Sequence, residues 1–254
     1  MKIGILTSGG DCPGLNAVIR GIVLKGTEAY GFDFVGFKHG WRGVVEGNFI
    51  HLGENEVRFL ANQGGTILGS SRTNPYEGPF GGPENIKRLL NKHGIDAIIA
   101  IGGEGTLTAA RRLSEEGINI VGVPKTIDND IQETDYSFGF TTAVEIATDA
   151  LDRIRTTAES HDRCIIVEVM GRHAGWIALH AGMAAGANAI LIPEHPVSLG
   201  QIAEWAIEVR DRGNAPVFVV SEGFTLEEMS EAHSHKGLDP FNRPLLGGIA
   251  DILA

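Results

Sequence analysis

The chain is punctuated by short, nearly continuous apolar runs, each ending at a turn and giving way to a helix-like stretch. Residues 3–6, 96–101 (DAIIAI), 118–123, 164–169 (CIIVEV), 189–192 and 217–220 form these runs. A strand that is apolar on successive residues is covered on both faces, and helices between such strands supply the cover. The pattern therefore predicts an α/β fold with mostly parallel sheets, as in Rossmann-like domains. In such sheets ligands bind outside the carboxyl ends of the strands, so those exits are where chemistry is sought. Helices are expected over 15–30, from the 102–106 turn through Leu113, and over 133–155, with a glycine-containing turn at 138–140. A domain boundary is placed near Gly139, giving 1–138 and 139–254. Residues 247–254 (GGIADILA) read as a helix that has just begun.

At 254 residues, with 43% hydrophobic residues and a mean hydropathy of +0.02, the chain can bury one large or two modest cores. The 35 glycines gather at strand ends, where they favour close approach of backbone to ligand. A net charge of −11 argues against a nucleic-acid partner, which needs a basic face. Of the 21 basic residues 14 are arginine, the side chain suited to bidentate phosphate contact. Cys12 and Cys164 stand in no metal or redox spacing, and no run reaches transmembrane length. With no targeting segment, the cytoplasm is expected.

Five strand exits carry residues with chemical potential. Gly9 to Gly14 opens a helix whose N-terminal amides suit an anion, but it is neither GxGxxG nor a P-loop. Gly102, Gly103, Glu104, Gly105 and Thr106 follow the second long strand. Two glycines there admit phosphates, Glu104 can hold Mg²⁺, and Thr106 can donate to phosphate or simply cap the helix. Pro124 to Asp130 (PKTIDND) brings Lys125, Thr126, Asp128 and Asp130 to the third exit. The acids can be turn formers, or one can be a base beside a cation and a hydroxyl. Met170, Gly171 and Arg172 lie at the fourth, and Glu222 follows the run 217–220. Arg72 sits in a glycine–hydroxyl loop of similar make. Arg163 precedes the fourth strand, at the opposite end of the sheet from Arg172. His233 and His235 read as a solvated loop.

The segments GGDCPGLN (9–16), QGGTILGSS (63–71), GGEGT (102–106), PKTIDND (124–130) and MGR (170–172), with Glu222, together resemble the 6-phosphofructokinase family. That resemblance implies phosphoryl transfer to the 1-hydroxyl of fructose 6-phosphate. It implies a larger donor domain over 1–138 and a smaller sugar-phosphate domain over 139–254. It puts the catalytic base on Asp128, with Arg72, Arg172 and Thr126 assisting, and Mg²⁺ at Glu104. Nucleotide contacts fall on Gly10, Arg72, Thr73 and 102–106. Sugar-phosphate contacts fall on Thr126, Ile127, Asp128, Arg163, Met170, Gly171, Arg172 and Glu222. Arg163 corresponds to an arginine delivered by a neighbouring subunit, so a homotetramer or homodimer is expected.

Donor choice in the family turns on the positions of Gly105 and Lys125. ATP users tend to have glycine at both, and pyrophosphate users aspartate and lysine. Glycine at 105 leaves room for an α-phosphate, which favours ATP as donor, and the mixed pair resembles that of actinobacterial ATP enzymes. Pyrophosphate is the alternative donor, and a non-catalytic sugar-phosphate-binding subunit is the alternative of another class. Arg20 and Arg155 match the family's effector site, but Leu24, Glu54 and Asn214 stand near basic positions and only Arg212 is cationic, so a weak response to ADP or phosphoenolpyruvate is expected. The family continues past residue 254, so the chain is expected to be C-terminally incomplete and poorly active alone.

Overall fold

In a computed structural model the described residues are 1–229, 234–238 and 244–254. By contacts the chain divides into two units: Met1–Ile127 with Ile131–Gly139, and Asp128–Asp130 with Phe140–Ala254.

The first unit contains, in chain order, β1 (Lys2–Ser8), α1 (Leu15–Tyr30), β2 (Asp33–Phe37), α2 (Trp41–Glu46), β3 (Phe49–Leu52), α3 (Glu54–Val57), α4 (Pro83–His93), β4 (Ala97–Gly102), α5 (Glu104–Glu115), β5 (Ile120–Thr126) and β6 (Phe138–Gly139). Its sheet has the order β3-β2-β1-β4-β5-β6, parallel throughout except for β3 against β2. The chain steps from β1 outward to β2, then returns to β4 on the other side. The carboxyl ends of β1 and β4 therefore flank a topological switch point, the expected ligand crevice of such a sheet. Ser8 and Gly102 are register partners there.

Why α1 occupies 15–30 can be read residue by residue. Leu15, Val18, Ile19 and Val23 recur at helical spacing and are buried against the sheet. Gly14 and Gly31 bound it in left-handed conformations, and Gly31 N–H closes the last turn on the Gly26 and Thr27 carbonyls. Gly26, unfavourable inside a helix, is there for packing, since a Cβ would lie 2.2 Å from the Phe34 ring. β1 and β4 bury Ile5, Leu6, Ile98 and Ile101 completely. Each contributes about 1.5–3 kcal/mol by leaving water.

The second unit contains α6 (Phe140–His161), β7 (Ile165–Val169), α7 (Trp176–Ala184), β8 (Ala189–Leu191), α8 (Leu199–Asp211), β9 (Val217–Ser221), β10 (Ser234–Leu238), β11 (Pro244–Leu246) and α9 (Ile249–Leu253). Its main sheet, β7-β9-β8, is wholly parallel, and β10 and β11 form an antiparallel pair. Val169 and Ser221 are register partners, so the segments after them leave the sheet side by side.

The helical stretch expected over 133–155 is corrected on both sides. Helix begins only at Phe140, because 138–139 are taken up by β6, which pairs with Lys125 and Thr126. Gly139 there has φ +105°, and a Cβ on it would lie 2.1 Å from Cys12 Sγ. The helix then runs past Arg155 to His161, and Asp162 (φ +50°) ends it in the left-handed region. The expected terminal helix is α9. Glu168 of β7 accepts hydrogen bonds from the N–H groups of Gly248 and Ala250, satisfying the orphan donors of its first turn. His233 lies outside the described residues, as does the His235 side chain.

Candidate active site

At the switch point of the first unit, loop meets loop through hydroxyls. Ser8 Oγ donates to the Ser71 carbonyl (2.8 Å), Gly9 N–H donates to the same carbonyl (3.1 Å), and Ser70 Oγ donates to the Gly9 carbonyl. Ser71 Oγ in turn donates to the His39 carbonyl (2.6 Å) and receives the Thr73 N–H. The loop that carries Arg72 and Thr73 is thereby tied to Ser8 and Gly9, with Arg72 exposed. Ser8, Ser70 and Ser71 were missed as site-building residues. The only signal was their place among the hydroxyls and glycines of that loop.

Across the crevice β4 ends at Gly102, and Gly103 is the N-cap of α5. Thr106 is therefore in the first turn and not the cap, which corrects the capping alternative. A Cβ on Gly102 would lie 2.5 Å from the Thr106 side chain, so Gly102 is the space that lets this buried threonine tuck under the turn. Over Gly105 a Cβ would meet nothing within 4 Å. Packing does not require glycine at 105, and the space above it is open. The N-terminus of this 12-residue helix, with its dipole, is a position that suits an anion.

Lys125 is the charged residue of the crevice interior. It is only 4% exposed, and Nζ donates to the Gly10 carbonyl at 2.8 Å. A Cβ on Gly9 would lie 3.9 Å from that Nζ and 3.8 Å from Thr106 Oγ1, so ammonium and hydroxyl flank the same glycine. The next residues serve the fold as well. The Thr126 carbonyl accepts from Ser137 Oγ (2.7 Å), and Ile127 packs on the core cluster beneath α1.

Glu104 is exposed in the first turn of α5. Among the described residues, no group of three or more His, Cys, Asp or Glu side chains could hold a metal. That donor set fits Mg²⁺ carried in on phosphates, which takes one or two carboxylates and keeps its waters. It does not fit a metal held by protein alone.

In the second unit the titrating centre is Asp128. Burial first, then the neighbouring Asp130 and Glu222 carboxylates, push its carboxyl up from 3.8 to about 6. Arg172 and His173 pull partly against that rise. Asn129 (φ +53°) turns the chain between the two aspartates. Glu222 follows β9, and its N–H donates to the Val169 carbonyl (2.9 Å), so it sits next to the Met170 turn. Met170 is exposed and Gly171 takes φ +144°. Asp128, Arg172 and Glu222 are thus brought together. Arg163 is not. It is exposed and precedes β7, so the length of the strand, about 3.3 Å per residue, separates it from Arg172.

Comparison with known proteins shows the family. The family model described as "Phosphofructokinase" matches residues 2–243. The chain is 56% identical over 254 residues to a protein of Amycolatopsis methanolica named pyrophosphate–fructose 6-phosphate 1-phosphotransferase, covering all of this chain and 74% of that one. It is 50% identical over 251 residues to "ATP-dependent 6-phosphofructokinase 3" of Streptomyces coelicolor, covering 98% of this chain and 73% of that one. Among solved structures, the phosphofructokinase of Pichia pastoris in its T-state matches with a TM-score of 0.81 and 35% identity, over 89% of this chain and 26% of that one. On its sequence, its fold and the make-up of its strand exits, the chain belongs to the phosphofructokinase family.

Proposed function

We propose that the protein transfers the terminal phosphoryl group of ATP to the 1-hydroxyl of fructose 6-phosphate, giving fructose 1,6-bisphosphate. The observation that carries this reading is Asp128, a carboxyl poised at about 6 among Asp130, Glu222 and Arg172. A base is most effective when its pKa lies near the operating pH. At pH 7 a group titrating near 6 is about nine-tenths ionised, and it holds a proton far better than an ordinary aspartate.

Asp128 takes the O1 proton as O1 forms its bond to the γ-phosphorus. The bond from that phosphorus to the β,γ-bridging oxygen breaks, and ADP leaves with the electron pair. The loose transition state asks for position and charge stabilisation more than for covalent help. Arg72 and Arg172 provide the charge. Gly10, Thr73 and the Gly102–Thr106 turn receive the donor in the first unit. Thr126, Ile127, Met170, Gly171, Arg172 and Glu222 receive the sugar phosphate. Mg²⁺ at Glu104 would neutralise donor phosphate charge when bound. Arg163 serves a neighbouring subunit's site in a homodimer or homotetramer. Among the described residues no helix is long and apolar enough to cross a membrane, and we place the enzyme in the cytoplasm.

ATP is favoured by the open space at Gly105, where a side chain would stand against the donor's α-phosphate. Pyrophosphate is the second reading. It is favoured by the buried Lys125 ammonium at the Gly10 loop and by the name of the Amycolatopsis relative. Initial rates with fructose 6-phosphate at matched ATP and pyrophosphate concentrations decide between them. A kcat/KM at least tenfold higher with pyrophosphate would overturn the ATP assignment.

A further inference from the structure

β9 is apolar and buried along Val217, Phe218, Val219 and Val220, and then ends in a hydroxyl residue, Ser221, that is fully buried. No packing rule calls for a hydroxyl at the end of such a strand. Its partner explains it. Ser221 Oγ donates to the Gly171 carbonyl at 2.6 Å, and Gly223 N–H donates to the same oxygen at 3.0 Å. The turn it grips has little freedom elsewhere. A Cβ on Gly171 would stand 2.3 Å from Ser221 Oγ and 2.7 Å from the Ala174 carbonyl, and one on Gly223 would stand 2.0 Å from the Arg172 carbonyl. The backbone of 171–172 is thus wedged between the end of β9 and residue 174.

We propose that Ser221 is a positioning residue for Arg172: its hydroxyl holds the Gly171 carbonyl and so fixes the backbone from which the arginine reaches the sugar phosphate. Ser221 touches no reacting atom. The inference rests on the sugar-phosphate role given to Arg172 above. It reaches beyond that role by naming what makes the arginine rigid.

The test is steady-state kinetics of the full-length protein and of Ser221→Ala and Ser221→Cys, with melting temperatures for all three. Alanine removes one oxygen. Cysteine keeps a side-chain atom at that position but is larger and only a weak donor. Loss of a buried hydrogen bond is expected to raise the KM for fructose 6-phosphate about tenfold in Ser221→Ala, with a smaller rise in Ser221→Cys and the donor KM unchanged. The acidic limb of kcat/KM should move upward in the same order, because a loosened Arg172 restrains the Asp128 carboxyl less. A sugar-phosphate KM within twofold of wild type in a folded Ser221→Ala would overturn the proposal, as would equal rises in both KM values. Should the alanine variant not fold, a wild-type KM in Ser221→Cys would overturn it alone. A wild-type protein that turns over no fructose 6-phosphate would instead refute the functional reading, and this inference with it.

Discussion

Replacing Asp128 with asparagine should make the protein more stable at alkaline pH while removing its activity. The carboxyl titrates near 3.8 when unfolded and about 6 when folded, so folding disfavours its charged form. The contribution is neutral below about pH 4, where both states hold the proton. The cost sets in as pH rises past about 4, where the unfolded state ionises first, grows up to about pH 6 and is at its full size above about pH 7. A shift of roughly two units corresponds to about 3 kcal/mol at 1.36 kcal/mol per unit. Solvent reaches part of the side chain, so about 1–2 kcal/mol is the working figure. Asparagine has nearly the same shape and cannot ionise. For a chain of this size that is a rise in Tm of about 3–6 °C at pH 8, shrinking to nothing by about pH 4. Over the same range kcat should fall by about 10²–10⁴, the usual contribution of a general base. Thermal melts of both proteins at pH 4, 5, 6, 7 and 8, with kcat measured at pH 7.5, make the comparison. A stability difference of the same size at every pH, or a destabilised variant at pH 8, would refute the reasoning about Asp128.

Other outcomes follow from the same geometry. Gly105→Asp fills the open space above the α5 turn and should raise the ATP KM at least tenfold while sparing pyrophosphate; equal effects on both donors would show that the space is not where an α-phosphate lies. Gly171→Ala must place a Cβ 2.3 Å from Ser221 Oγ at φ +144°, and should cost about 2–4 kcal/mol, read as a melting temperature lower by about 5–12 °C. Arg155 is already bound to the Ala185 and Gly186 carbonyls, and Arg20 to that of Arg58. ADP or phosphoenolpyruvate at millimolar concentration should therefore change the rate at subsaturating fructose 6-phosphate less than twofold, and a severalfold change in kinetic assays would contradict this.

What was legible in the chain was what local chemistry decides. The limits of α1 were readable because Gly14 and Gly31 punctuate an apolar period. The runs read at 96–101 and 164–169, which the structure places one residue later at their starts as Ala97–Gly102 and Ile165–Val169, were readable because successive residues are apolar. β2 and β3 were not located. Gly36 breaks the run DFVGF, and it is glycine because Leu68 and Leu52 occupy the space of its side chain. β3 is an antiparallel strand with two of its four residues exposed. The start of α6 was misjudged because β6 is defined only by its pairing with β5, which no local pattern announces. At the strand exits the acids, arginines and glycines were found by type and position. The serines that hold them were not. Ser8 and Ser221 act on partners 63 and 50 residues away, through hydroxyl-to-carbonyl bonds. Such pairings leave no trace in spacing or periodicity.

The central claim is phosphoryl transfer to fructose 6-phosphate by a site built around Asp128. Its most direct test is a product assay of the full-length protein with fructose 6-phosphate, Mg²⁺ and either ATP or pyrophosphate, following fructose 1,6-bisphosphate from pH 5 to 9. The account predicts product formation with ATP and a kcat/KM that rises to a plateau through an apparent pKa of about 6. No fructose 1,6-bisphosphate with either donor would contradict it.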